Sequence, residues 1–310
     1  ANPTVDAFER RVNELEGGIG GVACSSGMSA VTLSLLNILQ AGDEVIRCFG
    51  KRKYFVKSKT MRKEKTEMAV ELYCRQNDMD FMEKIRSIEE ALIEPFLTDK
   101  TRAVFGEIVG NPALNVMDVR ETADFLHGKG VPLIVDSTTS TPYLLNPIQY
   151  GADVVVHSTS KYINGSGDAI SGIIIDSGNF DWDAYGHKYH GLTEPDESYH
   201  GVVYTKQFGK KAYITKATTQ LMRDLGSIPS PENCFLLNLG LETLPLRVER
   251  HCENAQKVAE FLDAHEKVSH VIYAGLPNDK YHELAQKYMD KGRTCGVISF
   301  ELKAGREAAV

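Results

Sequence analysis

The sequence predicts an α/β fold with a largely parallel sheet, and three observations predict it. Short apolar runs at 102–109, 131–135, 153–156 and 171–175 alternate with stretches of helical character. The chain has 310 residues, room for two domains or one large one. Its composition, 42% hydrophobic and 25% charged, is that of an ordinary soluble globular protein.

The elements follow in order. Thr4 is a good N-cap, and Val5, Phe8, Val12 and Leu15 then recur at helical spacing until Gly17-Gly18 ends the element. Glycines 17, 18, 20 and 21 do not fit the dinucleotide fingerprint Gly-x-Gly-x-x-Gly, and no strand precedes them. Ser25-Ser26-Gly27-Met28 opens a second apolar helix reaching about Leu39. Gly42-Asp43 turns the chain into a short strand, Glu44-Val45-Ile46. Arg102 to Val109 reads as a buried strand. Asp118 caps a helix running through His127, which Gly128 and Gly130 stop. After about residue 205 the pattern turns mainly helical, with one long helical stretch near 231–264. Residues 268–272 and 297–302 read as strands of a second, smaller unit. The boundary is placed near 228, beside Pro229 and Pro231, giving domains 1–228 and 229–310.

Charge and cysteine usage narrow the function classes. A net charge of −7 argues against a general nucleic-acid surface. No apolar stretch approaches a transmembrane span, and Ala1-Asn2-Pro3-Thr4 lacks a basic-then-apolar signal pattern. The six cysteines (24, 48, 74, 234, 252 and 295) are scattered with no Cys-x-x-Cys pair, so reduced thiols in a cytoplasmic protein are expected, with neither disulfide nor zinc framework. One segment stands apart: from Arg47 to Lys65, nine of nineteen residues are Lys or Arg. In an acidic chain this reads as a solvated basic surface rather than an anion-binding patch.

The chemistry concentrates after the predicted strands, where open α/β sheets bind ligands. Asp136 ends one strand, and Lys161 follows the next within His157-Ser158-Thr159-Ser160-Lys161-Tyr162. Taken singly, Asp136 is a helix N-cap, Lys161 a surface lysine, and Ser158, Ser160 and Asn111 turn residues. Taken together they suit pyridoxal phosphate (PLP). The lysine amine forms a Schiff base with the aldehyde, the aspartate keeps the pyridine nitrogen protonated, and the hydroxyls hydrogen-bond the phosphate. Ser26-Gly27-Met28 opens a helix, whose first N–H groups and positive dipole end also suit a phosphate.

The same residues carry a family resemblance. The chain resembles the Cys/Met-metabolism PLP-dependent enzymes, a fold-type-I group, and within it the O-acetylhomoserine sulfhydrylases. The matching stretches are Asn2 to Gly18, Ser25 to Ala30, Ala41 to Glu44, Ala103 to Glu107 with Gly110 to Asn115, Val135-Asp136, and Val155 to Tyr162. Gly191 to Asp196 with Ser198 to Gly201 carries the subgroup, supported by Leu241 to Arg247 and Glu249 to His251. The resemblance covers nearly everything outside roughly 47–95. It implies a large PLP-binding domain with a mostly parallel sheet, plus a smaller, incomplete C-terminal α/β domain. It implies that Lys161 carries the cofactor, that Asp136 pairs with the pyridinium nitrogen, and that Gly27, Met28, Ser158 and Ser160 hold the phosphate. Asn111 contacts the phenolic oxygen and the substrate carboxylate, and Phe49 stacks on the ring. The implied reaction is γ-replacement on O-acetylhomoserine with sulfide or a small thiol, giving homocysteine or methionine plus acetate, in a homodimer or homotetramer.

Departures from the pattern bear on this reading. Phe49 lacks the phenol of the family's tyrosine, Lys51 and Arg52 replace small residues, and Ser137 stands where asparagine is common. The family's Tyr-x-Arg pair upstream of Asn-Pro-Thr lies before Ala1, and its carboxylate-binding arginine lies beyond Val310, so a fragment lacking both is expected. Cystathionine γ-synthase or methionine/homocysteine γ-lyase activity is the alternative that shares every named residue. A catalytically impaired remnant is the alternative outside enzyme function.

Overall fold

The computed structural model describes residues 2–47 and 93–305. Phe49 and almost all of the basic 47–65 segment therefore lie outside the described residues.

Helix α1 (Pro3–Glu16) is amphipathic and buries Phe8 and Val12. The sequence places its cap at Thr4, but the structure corrects this to Asn2, whose side chain accepts from the Thr4 and Val5 N–H groups. Pro3 is the reason: its fixed φ suits the first helical position and its missing N–H needs no acceptor, so the cap falls one residue before it. Gly17 ends the helix at φ 73°, a left-handed conformation that favours glycine. Strand β1 (Gly20–Cys24) follows, an element absent from the sequence reading because Gly20-Gly21 has little strand propensity. Helix α2 (Gly27–Leu36) stops earlier than expected.

Strands β2 (Glu44–Arg47), β3 (Thr101–Glu107), β4 (Leu133–Asp136), β5 (Val154–His157) and β6 (Gly172–Asp176) complete the main sheet, with α3 (Val119–His127) between β3 and β4. The order is β1-β6-β5-β4-β3-β2. The β2 to β5 ladders are parallel, and β6 runs antiparallel to both β5 and β1. This brings the carboxyl ends of β1, β3, β4 and β5 to one edge, beside the start of β6.

Alternation along the strands divides the core into two layers. Val104, Val135, Val155 and Ile173 face the layer of α1 and α3. Ala103, Phe105, Ile134, Val156 and Ile174 face α2 and the helical turns between 204 and 225. The long helical stretch near 231–264 is two helices, α4 (Pro231–Glu242) and α5 (Leu244–Asp263), with the break at Thr243 before Pro245. Both contribute to the α1-side core. A second sheet pairs β7 (Val268–Ile272) antiparallel with β8 (Ser299–Leu302), and between them α6 (His282–Tyr288) reaches back to Asp118, the α3 cap, through Lys287 and Tyr288. Among the described residues no helix is long and apolar enough to cross a membrane.

Candidate active site

The α2 end of the site is shaped by missing atoms. Ser26 caps α2 through its hydroxyl, which accepts from the Ser29 N–H at 3.1 Å. The first-turn N–H groups of Gly27 and Met28 have no acceptor within the helix. A Cβ on Gly27 would lie 2.5 Å from Ser158 Cβ and 2.7 Å from its Oγ, so the helix start presses directly against the end of β5. Gly172, opening β6, packs as tightly on Ser26 and Gly27 from the other side.

The β4 end is held by a relay of hydrogen bonds. Asp136 Oδ1 accepts from the Thr138 N–H at 2.9 Å, and Thr138 Oγ1 accepts from the Ser158 N–H at 2.7 Å. One threonine thus fixes the carboxylate and the serine relative to each other. Ser137 is buried beneath it, hydrogen-bonded to Ser140.

Lys161 stands on the turn after β5, where its N–H donates to Ser158 O at 3.2 Å and its carbonyl accepts from Gly165. Its side chain is exposed and makes no hydrogen bond or ion pair among the described residues. Arg247 braces the residues that follow, donating to the carbonyls of Tyr162 at 2.7 Å and Ile163 at 3.2 Å, and to Gly240 O. Partial burial holds its guanidinium below the usual arginine range. Burial pushes the neighbouring Tyr162 phenol up to about 12.

Two further predicted residues have partners of their own. Ser160 Oγ donates to Ser171 O at 3.1 Å and accepts from the Ser171 N–H at 3.0 Å, so its proton is already engaged. Asn111 is exposed on the loop after β3, where its backbone N–H donates to Glu107 Oε2 at 3.0 Å. Sequence reasoning missed Thr138, although an Asp-x-Thr after an apolar run signals a side-chain-capped turn. It also left Arg247 without a role.

The described residues fit a PLP-sized anion with an electron-poor ring. A glycine-lined helix start and the Ser158 hydroxyl suit a phosphate, Asp136 ends the neighbouring strand β4, and the Lys161 amine, without a partner among the described residues, follows β5.

Comparison with known proteins identifies the family. The family model described as Cys/Met metabolism PLP-dependent enzyme matches residues 1–310. An O-acetyl-L-homoserine sulfhydrylase of Leptospira meyeri is 41% identical over 99% of this chain and 68% of its own length. A homocysteine/cysteine synthase of Kluyveromyces lactis is 40% identical over 97% of this chain and 65% of its own. A Campylobacter jejuni structure assigned as an O-acetylhomoserine (thiol)-lyase, and carrying a pyridoxyl-lysine, superposes with a TM-score of 0.82 at 32% identity, covering 98% of this chain and 71% of that one. The chain thus spans about two thirds of the length of the relatives it matches. At that identity and coverage, the chain belongs to the Cys/Met metabolism PLP-dependent enzyme family.

Proposed function

We propose that this chain carries the cofactor-binding core of an O-acetylhomoserine sulfhydrylase, which exchanges the acetate of O-acetyl-L-homoserine for sulfide or a small thiol. The observation that carries the reading is the convergence of Lys161, Asp136 and the Gly27–Ser158 cradle at one edge of the sheet. Relatives at about 40% identity bearing sulfhydrylase and homocysteine synthase names support the substrate.

Bound PLP supplies an electron sink for charge developing at the substrate Cα. The residues of the chain do the rest. Lys161 would hold the cofactor through its amine, and that amine is placed to take the Cα proton of the substrate. Asp136 keeps the pyridine nitrogen protonated, and the relay through Thr138 holds that carboxylate still. The N–H groups of Gly27 and Met28 with the Ser158 hydroxyl bind the phosphate. Ser160 contributes by anchoring the turn to Ser171, and Asn111 takes the substrate carboxylate. With PLP bound, the same amine would carry a proton from Cβ as acetate departs from Cγ with its bonding pair, sulfide would bond to Cγ in its place, and the protons would return to Cβ and Cα.

Lys161→Ala is expected to lower sulfide-dependent release of homocysteine and acetate by at least a thousandfold. Near-normal turnover by that variant would overturn the reading. Assays with methionine or cysteine alone separate a lyase from a sulfhydrylase. We also infer an assembly of two or four copies in the cytoplasm. The exposed apolar side chains Phe235, Leu239 and Leu246 along α4 and α5 support the assembly, and light scattering of the purified protein tests it.

A further inference from the structure

The last residue of α1 and the last residue of β5 meet in the core, 141 positions apart in sequence. His157 Nε2 lies 2.6 Å from Glu16 Oε1, with side chains 1% and 0% exposed. The two atoms share one proton, and the histidine tautomer decides which of them donates. For stability alone this is a poor arrangement. Glu16 closes a helix, where the backbone dipole presents its negative end and opposes a carboxylate. Burial strips both groups of water, and Glu16 Oε2 and His157 Nδ1 are left without partners. Apolar side chains would fill the same space without that penalty.

The location gives the pair a use. The ladder between β4 and β5 ends at Val156, whereas the ladder to β6 continues to His157. His157 pairs with β6, while its neighbours are tied to the β4 flank by the Ser137 N–H on Val156 O and the Ser158 N–H on Thr138 Oγ1, and its side chain adds a third hold, toward α1. The next residue is Ser158, which packs on Gly27 and donates to Thr138, and Lys161 stands three residues further on. A rotation at His157 would move all of them.

We propose that Glu16 and His157 form a positioning pair that sets the direction of the chain leaving β5, and through it the placement of Ser158 and Lys161. The inference rests on the reading that Lys161 carries the cofactor, and its test separates the two.

Glu16→Leu, His157→Leu and the double variant are compared with the wild-type chain. Three quantities are measured: the urea midpoint, amide hydrogen exchange of the peptide covering 157–162 without cofactor, and PLP affinity with borohydride trapping. Each single variant is expected to lower the midpoint, because one buried polar group loses its partner. The double variant is expected to regain the midpoint while the 158–161 amides still exchange at least tenfold faster and PLP binds at least tenfold more weakly. Recovery of slow exchange together with stability would mean that the pair only fills space, and the proposal falls. If the leucine pair does not fold, Glu16→Gln, which keeps a hydrogen-bonding partner for the ring nitrogen, is compared with Glu16→Met. Slow exchange in the glutamine variant alone supports the proposal, and equal exchange in both overturns it. Trapping of PLP at a lysine other than Lys161 would sink the site assignment, while the exchange result still decides the role of the pair.

Discussion

The two sides of the sheet support the end of β5 by different means. On the α2 side the contact is steric: Gly27 and Gly172 let a helix start, a serine and a strand start approach more closely than any side chain permits. On the α1 side the contact is polar: Glu16 reaches His157, and one turn of α1 and more before it Glu9 accepts from the Ala23 N–H of β1 at 2.7 Å. A steric support has no tolerance for added volume. A polar support tolerates volume but depends on protonation and on matched partners. The difference teaches which substitutions harm each side.

The largest effect is expected at Gly27. In Gly27→Ala the new methyl meets Ser158 at 2.5 to 2.8 Å, backbone included, so α2 must back away from the cradle. PLP affinity should fall by at least tenfold, and stability by about 2–3 kcal/mol, as for an overpacked core. Met28→Ala sharpens the comparison. Its side chain is exposed and only its N–H faces the cradle, so affinity should stay within twofold of wild type, as read by cofactor titration. A large loss there would show that the side chain takes part and that the support is not steric alone.

A smaller effect is expected from the relay that crosses between the two supports. Thr138→Val keeps the shape and removes the acceptor for the Ser158 N–H, which should cost about 1–2 kcal/mol and weaken PLP severalfold. Thr138→Ser keeps the oxygen and should restore both. Equal behaviour of the two variants in urea unfolding and cofactor titration would remove Thr138 from the site.

How much of this was readable in the sequence follows from what is local. The ends of β4 and β5 were legible because Val-rich runs stop at Asp136 and His157, and the α2 start because a serine cap precedes a glycine. The edge strand β1 was not, since Gly20-Gly21 carries no strand signal and its pairing with β6 is made 150 residues away. The same holds for Glu16 and His157, each unremarkable in its own segment. Ser160 shows the opposite case: its position in the motif suggests a phosphate ligand, and only the fold reveals that Ser171 already engages its hydroxyl. Phe49 lies outside the described residues.

A further effect separates the polar support from the steric one by pH. Burial raises the Glu9 carboxyl to about 7, partly offset by the Ala23 N–H it accepts from, with Asp6 nearby adding to the rise. An ordinary glutamate in the unfolded chain titrates near 4.5. Between those values the folded state keeps a proton that the unfolded state has released, so stability falls as pH rises through that window. This is the reverse of a salt-bridged carboxylate. Glu9→Gln keeps an oxygen for Ala23 and removes the charge, so it should match wild type near pH 4 and exceed it at pH 8 by on the order of 2 kcal/mol, discounted for partial exposure. Asp176 is raised to about 7 by burial in the same way, so both proteins will still lose stability with pH, and the quantity to follow is their difference. Urea unfolding at pH 4, 6 and 8 reads it. A difference that does not change with pH would mean that Glu9 titrates alike in the folded and unfolded chain, and that burial does not set the pH response of the α1 side.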